Sequence, residues 1–565
     1  MEVPRPPLTV DAVRDLRSAL SRFGPDHAAG RAAALERGRG RPAADVAALV
    51  EWHDLLLFVV AHPASLAELG TARAELAAVG RAACEIAARG SPRDRRALEE
   101  TGVAGSTVRA NYGYAIGRWL VERHAESVRL DGVDEASVTL AETLAPGLPA
   151  LQAEIAAGGS PAGQEVATAF GGARGGAAWL VRAFDRLPAT EAIREQLWER
   201  VQPAFVVTPG AGPLARTFLR GVEAAPFVVD RLVRDFDVRR AIDEPLPVAP
   251  RASLRDRRRL VDAGRGTLAV LGRETDALST TSARDTRYHP LGRGLAIALH
   301  APASDRRGPL DTHVGFVLYR NAVPIAYGGG WPFAGGCRIG VNVFPAFRGG
   351  ESAYVFAQVL RAYRASFGVE RFLVEPYQYG LGNREGLESG AFWFYWRLGF
   401  RPVAPRVLAL AHAEAARVEA DRRYRAPIAV LRRFTASDIA LELRPGAPAP
   451  PEPSALAEAA STWLAAHARG DPSRAERAAV AAAERALGRR WPTDARRRAA
   501  WVAWAPLIAR MHGLDAWPDR ARAAFAAVLD AKADDEFVFQ RRLVRHPRLR
   551  AALGAIARGA DADPV

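Results

Sequence analysis

The stretch from Cys337 to Pro402 holds the residues best suited to chemistry. It reads CRIGVNVFPAFRGGESAYVFAQVLRAYR, continues through VERFLVEPYQYG and closes with GAFWFYWRLGFRP. An apolar strand pattern breaks into the turn Arg348-Gly349-Gly350, and an amphipathic helix pattern starts at Ser352. A strand, a glycine turn and a helix N-terminus present free backbone N–H groups and the positive end of a helix dipole. That combination can hold the phosphates of a cofactor, and glycine lets the backbone come close to them. A tyrosine in the closing segment can handle a proton.

The elements that must position these residues can be read from the same region. Gly294–Ala301, Thr312–Arg320, Val323–Trp331 and Arg338–Phe344 read as strands, with Asn321-Ala322 as a tight turn between two of them. The run Gly328-Gly329-Gly330 predicts a bulge or a close backbone approach. From Ser352 to Phe367, Ala353, Phe356, Ala357, Leu360 and Tyr363 share one helical face, and Gly368 stops the helix. Arg371–Glu375 reads as the next strand, Ser389–Leu398 as a helix stopped by Gly399, and Phe400 opens a final strand.

Around this centre the chain reads as helical. Up to about Asp243 the pattern is almost entirely that of helices, with Ser91-Pro92 and Thr190 as caps and Pro63 as a break. The segments Asp243–Ser253 and Arg444–Ser454 are proline-rich and read as linkers. Asp471-Pro472 and Gly488 bound a helix of the tail, whose tryptophans Trp463, Trp491, Trp501 and Trp504 are expected to fill its core. The expected architecture is therefore a central α/β (α+β) mixed sheet with helices, residues 254–443. An all-α N-terminal region, 1–243, and an all-α C-terminal region, 455–565, flank it.

Composition narrows the function. The chain has 565 residues, 49% hydrophobic and 25% charged, which is globular rather than disordered. Its formal net charge is +14 and its pI about 10.5. Lys532 is the only lysine, so the positive charge is arginine, scattered rather than aligned with aromatics. A nucleic-acid partner is accordingly not expected. Two denser arginine runs, Arg255–Arg259 and Arg541–Arg550, read as solvated helix faces. The cysteines, Cys84 and Cys337, are too few for a disulfide framework or a thiolate metal site. His289, His300 and His313 lack ligand spacing, so no metal is expected. No apolar run is long enough to span a bilayer, and the opening MEVPRPPLTVDAVRDL lacks the pattern of a secretory leader. A soluble, cytoplasmic protein is expected.

The central residues resemble the GNAT superfamily of acyltransferases in the order meander, strand, phosphate-type turn, helix, strand, then helix into strand. The turn Arg348-Gly349-Gly350-Glu351-Ser352-Ala353 is similar to the family's acyl-CoA pyrophosphate loop: Arg348 and Ala353 match it, and Glu351 replaces its fourth-place glycine. Phe394-Tyr395-Trp396-Arg397-Leu398-Gly399-Phe400 is similar to the family's closing motif. The resemblance covers Gly294 to Val403. It implies acetyl-CoA or another acyl-CoA as co-substrate, with its pyrophosphate on the N–H groups from Gly350 to Ala353. The thioester would lie near Val343 and Phe344, where a backbone N–H of Asn342 or Val343 polarises its carbonyl. Tyr395 stands where the family's general acid stands. The family's strand carboxylate is absent, since Asn342 occupies that place. Glu375 is the candidate base, with Tyr377, Tyr379 and His313 behind it. Asn383 lies farther from the last helix than the family's asparagine.

Glu351 sets the alternatives. A carboxylate facing the phosphates could cost a few kcal/mol, roughly a hundredfold in affinity; pointing away, it would cap the helix. The leading expectation is N-acylation of a small-molecule or peptide amine. The alternative is a degenerate acyltransferase fold acting as a binding or scaffold module. A third reading, an aminoacyl-tRNA-dependent transferase, rests on the arginine excess.

Overall fold

The computed structural model describes residues 5–133, 140–157, 172–210, 212–421, 423–446 and 448–559. The first helices start where side chains satisfy their open N–H groups. Thr9, Asp45 and Ser65 accept from Ala12, Ala48 and Glu68, and so cap Val10–Leu20, Val46–Ala61 and Leu66–Arg89. Val46–Ala61 (VAALVEWHDLLLFVVA) is apolar on almost every face and is buried accordingly. It lies between the other N-terminal helices and the central sheet, and its core is continuous with the sheet's.

The expectation of an all-helical N-terminal region is corrected. Val108–Asn111 (β1), Val128–Val133 (β2) and Pro203–Val207 (β3) form an antiparallel sheet in the order β1-β3-β2. β3, PAFVV, is buried along its whole length. Five apolar residues carry no period that separates a buried strand from a piece of buried helix. This sheet has its own core, with Tyr114, Phe184, Trp198 and Phe205 in ring contact.

The central sheet has eight strands: Thr281–Gly292 (β4), Leu295–Pro302 (β5), Val314–Arg320 (β6), Val323–Phe333 (β7), Gly336–Val343 (β8), Arg371–Val374 (β9), Arg401–Pro402 (β10) and Ile439–Glu442 (β11). Their order is β10-β11-β9-β8-β7-β6-β5-β4. Every neighbouring pair is antiparallel except β8 and β9, which run parallel. The sequence reading missed β4, whose TSARDTRYHPLG is mostly polar and only partly buried, and β11.

The expected glycine bulge does not form. Gly328, Gly329 and Gly330 keep regular register with Val341, Gly340 and Ile339, and the irregularity falls at Leu318/Tyr319 on the neighbouring strand. The glycines serve close approach instead. A Cβ on Gly329 would collide with the His313 ring, and one on Gly340 would lie 3.0 Å from the Gln378 amide. On the other face, a Cβ on Gly330 would lie 2.8 Å from Cys337 Sγ and 2.9 Å from the Tyr363 ring. The helix Ser352–Phe367 packs on that second face.

The proline-rich segment after Asp243 is extended and largely exposed, yet Arg361 holds its start by the Glu244 and Pro245 carbonyls. The C-terminal helices form a separate core of Trp491, Trp501, Trp504 and Phe525, into which Leu310 and Phe333 of the central region insert. Lys532 anchors this contact. Its ammonium is buried and donates to Glu536 at 2.7 Å, to the Thr312 hydroxyl at 2.9 Å and to the Leu310 carbonyl at 3.3 Å.

β6 and β7 are joined by Asn321-Ala322, with φ of 46° and 65°. Positive φ at both central residues is the turn whose twist matches a hairpin. Asn321 also ties three segments together: its amide donates to Ala61 O (2.9 Å) and Phe227 O (3.0 Å), and its Oδ1 accepts from the Phe227 N–H (2.8 Å). Ala322 has no such compensation for its left-handed backbone. Ala322→Gly is expected to raise unfolding free energy by about 1 kcal/mol, measured by urea denaturation.

Candidate functional site

The candidate site starts where two parallel strands part. β8 and β9 pair only over Gly336–Arg371, Cys337–Phe372 and Arg338–Leu373. β8 continues to Val343, while β9 ends at Val374 and turns at Glu375-Pro376 into the short 3-10 turn Pro376–Tyr379. A gap opens between them. The Phe344 N–H donates to Ile325 O on the β7 side at 3.0 Å. Alternation along a strand then turns the Asn342 N–H toward β7 as well, and aims those of Val343 and Val341 into the gap. Of the two backbone donors expected, Val343 is the one that faces it.

The turn Arg348–Ala353 lies at the mouth of this gap. Gly349 has φ 95°, a conformation that favours glycine, and nothing lies within 4 Å of where its Cβ would be. The backbone N–H groups of Gly350, Glu351, Ala353 and Tyr354 donate to none of the described residues. The Ser352 N–H and hydroxyl both donate to Gly349 O, at 3.2 Å each. Arg348 clamps the turn: its Nε donates to Val343 O (3.0 Å), and Nη1 pairs with Glu385 (2.6 Å).

Glu351 does not face this opening, nor does its side chain cap the helix. It turns inward, 4% exposed, and pairs with Arg320 at the end of β6, which is itself fully buried. The Val233 N–H donates to its Oε1 at 2.7 Å, and His62 Nε2 lies 3.6 Å from its Oε2. Burial alone would raise the carboxyl; the His62 imidazole and the Arg320 charge overcome that and hold it below the ordinary carboxylate range. Burial in turn pushes the His62 pKa down. The turn is thus built on three distant segments: β6, the end of Val46–Ala61, and the irregular stretch around Val233. That stretch also covers the turn, with Leu232 3.2 Å from where a Gly350 Cβ would be and Phe236 packed edge-on against Tyr354.

Tyr395, on Ala391–Arg397, is buried among Phe356, Phe394, Phe400 and Tyr379, with ring centroids 5.2–6.5 Å away. Burial raises its phenol pKa. Glu375 lies away from it, 56% exposed and 3.4 Å from Arg338, a guanidinium shared with Asp438 and Glu452. Tyr377 is exposed, and the buried Tyr379 donates its hydroxyl to Ser437 O. Asn383 caps Arg384–Glu388 and donates to Tyr377 O, so its role is to shape this loop.

Among the remaining candidates, Cys337 is buried and its thiol pKa is pushed well up by that burial. His300 is buried, with its pKa lowered to about 3, and His289 is lowered to about 4. No group of three metal-ligating side chains occurs among the described residues. His313 stacks on Trp331, centroids 4.2 Å apart, with Nδ1 buried and unpartnered. With Glu195, Glu274, Asp276 and Asp311 these two line a cavity of about 500 Å³ between the small sheet and the central one. Burial raises the carboxyls of Glu195, Glu274 and Asp311. Nothing in the sequence signals this cavity, since its acids come from separate segments spread from Glu195 to Asp311. Comparison with known protein families, with curated proteins and with solved structures finds no match.

Two outcomes follow. Glu351→Gln leaves Arg320 buried without a counterion and is expected to cost about 3–5 kcal/mol in urea unfolding. Because the folded carboxyl titrates below its ordinary value of 4.5, its stabilisation is present above that pH and is lost as pH falls through the folded value. The variant should therefore lose most stability at neutral pH and least in acid. Glu274 runs the other way. Its folded pKa lies above 4.5, so its carboxylate form costs stability as pH rises past that value. Glu274→Gln should raise the melting temperature at pH 7.5, with the gain vanishing near pH 4.

Proposed function

We propose that the protein is an acyl-CoA-dependent N-acyltransferase of the GNAT type, with acetyl-CoA or another acyl-CoA as co-substrate and an amine as acceptor. The observation that carries this reading is the gap between the parallel strands β8 and β9, with a turn of free N–H groups at its mouth. The inward turn of Glu351 supports it further, because the carboxylate does not compete with phosphate for the N–H groups.

In this reading the pyrophosphate rests on the N–H groups of Gly350–Ala353, with Arg348 beside them. The pantetheine arm follows β8 past Val343 and Phe344. The Val343 N–H polarises the thioester carbonyl, and the acceptor amine attacks that carbon. The C–S bond breaks and the leaving thiolate takes the Tyr395 proton, while the amine gives its proton to Glu375. Burial raises the phenol pKa, so Tyr395 is protonated at neutral pH.

One observation favours a second reading, in which the fold is kept without the reaction: the Leu232–Phe236 stretch lies over the same turn. Calorimetric titration with acetyl-CoA and with a longer acyl-CoA separates the two. Micromolar binding to the wild type that Gly350→Asp removes is the expected result. Tyr395→Phe should keep that binding and lower turnover by about 10²–10⁴-fold once an amine acceptor is in hand. Failure of both acyl-CoA species to bind at millimolar concentration would leave the binding-module reading in its place.

A further inference from the structure

A second cavity, of about 470 Å³, lies at the other edge of the sheet, between the start of the helix Leu254–Ala269, strand β4 and the C-terminal helices. Four strand spacings, about 19 Å across the sheet, separate β4 from β8, the strand that leads to the turn. Its lining carries six arginines and four acids, and the acids are already taken. Asp285 pairs with Arg307 (2.6 Å) and Asp535 with Arg287, both within the cavity. Asp534 pairs with Arg497 (2.8 Å) from outside it, and Glu536 with the buried Lys532 (2.7 Å) from beneath.

Four guanidinium groups are left over. Arg251, Arg257, Arg284 and Arg496 make no ion pair with any described residue. Arg251, Arg284 and Arg496 stand on the exposed rim. Arg257 reaches inward, with its Nε buried and unpartnered and its Nη1 only 3.5 Å from Arg284 O. Burial, then the charges of Arg251 and Arg287, push its pKa down. Four like charges around one concavity repel one another unless an anion joins them.

We propose that this cavity binds a small molecule carrying two or more phosphate groups, held by Arg251, Arg257, Arg284 and Arg496. Planar guanidinium forks match phosphate oxygens two at a time, which lysine cannot do. The volume is that of a small-ligand site. A nucleic-acid strand is disfavoured by the walls. Among the described residues that line the cavity the one aromatic ring is Phe537, 3% exposed and beneath Arg287, so none of them offers a free ring to stack a base. The site draws on the arginine run Arg255–Arg259, which the acyl-transfer reading leaves unused, and it does not depend on that reading.

The test is calorimetric titration of the full chain with inorganic tripolyphosphate at low salt, beside Arg257→Gln and Arg496→Gln. Saturable binding, weakened about tenfold by each substitution and unaffected by Gly350→Asp, with melting temperature unchanged, is the expected outcome. Arg496 is exposed, so its variant reads binding even if Arg257→Gln disturbs folding. Equal binding by wild type and Arg496→Gln would overturn the proposal. So would tighter binding of a single-stranded RNA of matched charge with a steep salt dependence, which would make the cleft a nucleic-acid surface.

Discussion

The ion pair between Arg320 and Glu351 is the constraint on which the centre of this molecule is arranged. A guanidinium and a carboxylate removed from water must meet in good geometry or the desolvation is uncompensated. Here Arg320 ends β6, Glu351 opens the helix Ser352–Phe367, His62 ends an N-terminal helix and the Val233 N–H comes from an irregular stretch. Four segments far apart in the chain must be in place before either charge is satisfied. The shared core of the N-terminal helices and the sheet follows the same geometry, since the buried helix Val46–Ala61 delivers His62. Even so, Arg320 keeps two buried nitrogens without partners, so the pair favours one arrangement more than it adds stability.

That arrangement explains how an acidic residue can sit in a turn of open N–H groups without filling it. The carboxylate is held from behind, and the backbone in front stays free on Gly350, Ala353 and Tyr354. The gap beside it has an equally local cause. Glu375-Pro376 ends β9 one residue past Val374, and Gln378 lies across Gly340 where a fuller side chain would exclude it. Parting strands and an open turn are thus products of a proline, a few glycines and one inward glutamate. The arginine-lined cavity at the far edge obeys the opposite logic, with charges left over after every acid has been matched.

The sequence made the central region legible because its signals are local. The hairpin turn at Asn321-Ala322, the helix after Glu351 and the stop at Gly368 each depend on a few adjacent residues. The strands β1–β3 were hidden because they are short, and β3 carries no alternation. β4 was hidden because an edge strand with mixed burial reads as polar loop. The orientation of Glu351 was beyond reach, since it depends on Arg320 and His62, 31 and 289 positions away. The surroundings of Tyr395 were half visible: its aromatic neighbours on Ala391–Arg397 stand in the sequence, but Phe356 and Tyr379 come to it only through packing.

The burial of Lys532 reaches beyond its contact with Glu536. It is the only lysine in the chain, and it is closed off from solvent beneath the C-terminal helices. Thioesters and other activated acyl groups acylate exposed ε-amines without any enzyme, and amine-directed reagents and lysine modifications need the same group. On the described surface of this protein there is no ε-amine to take them. Reagents aimed at lysine will therefore neither tag nor immobilise the folded chain through its side chains, and any acyl label found on Lys532 would report that the C-terminal helices had opened.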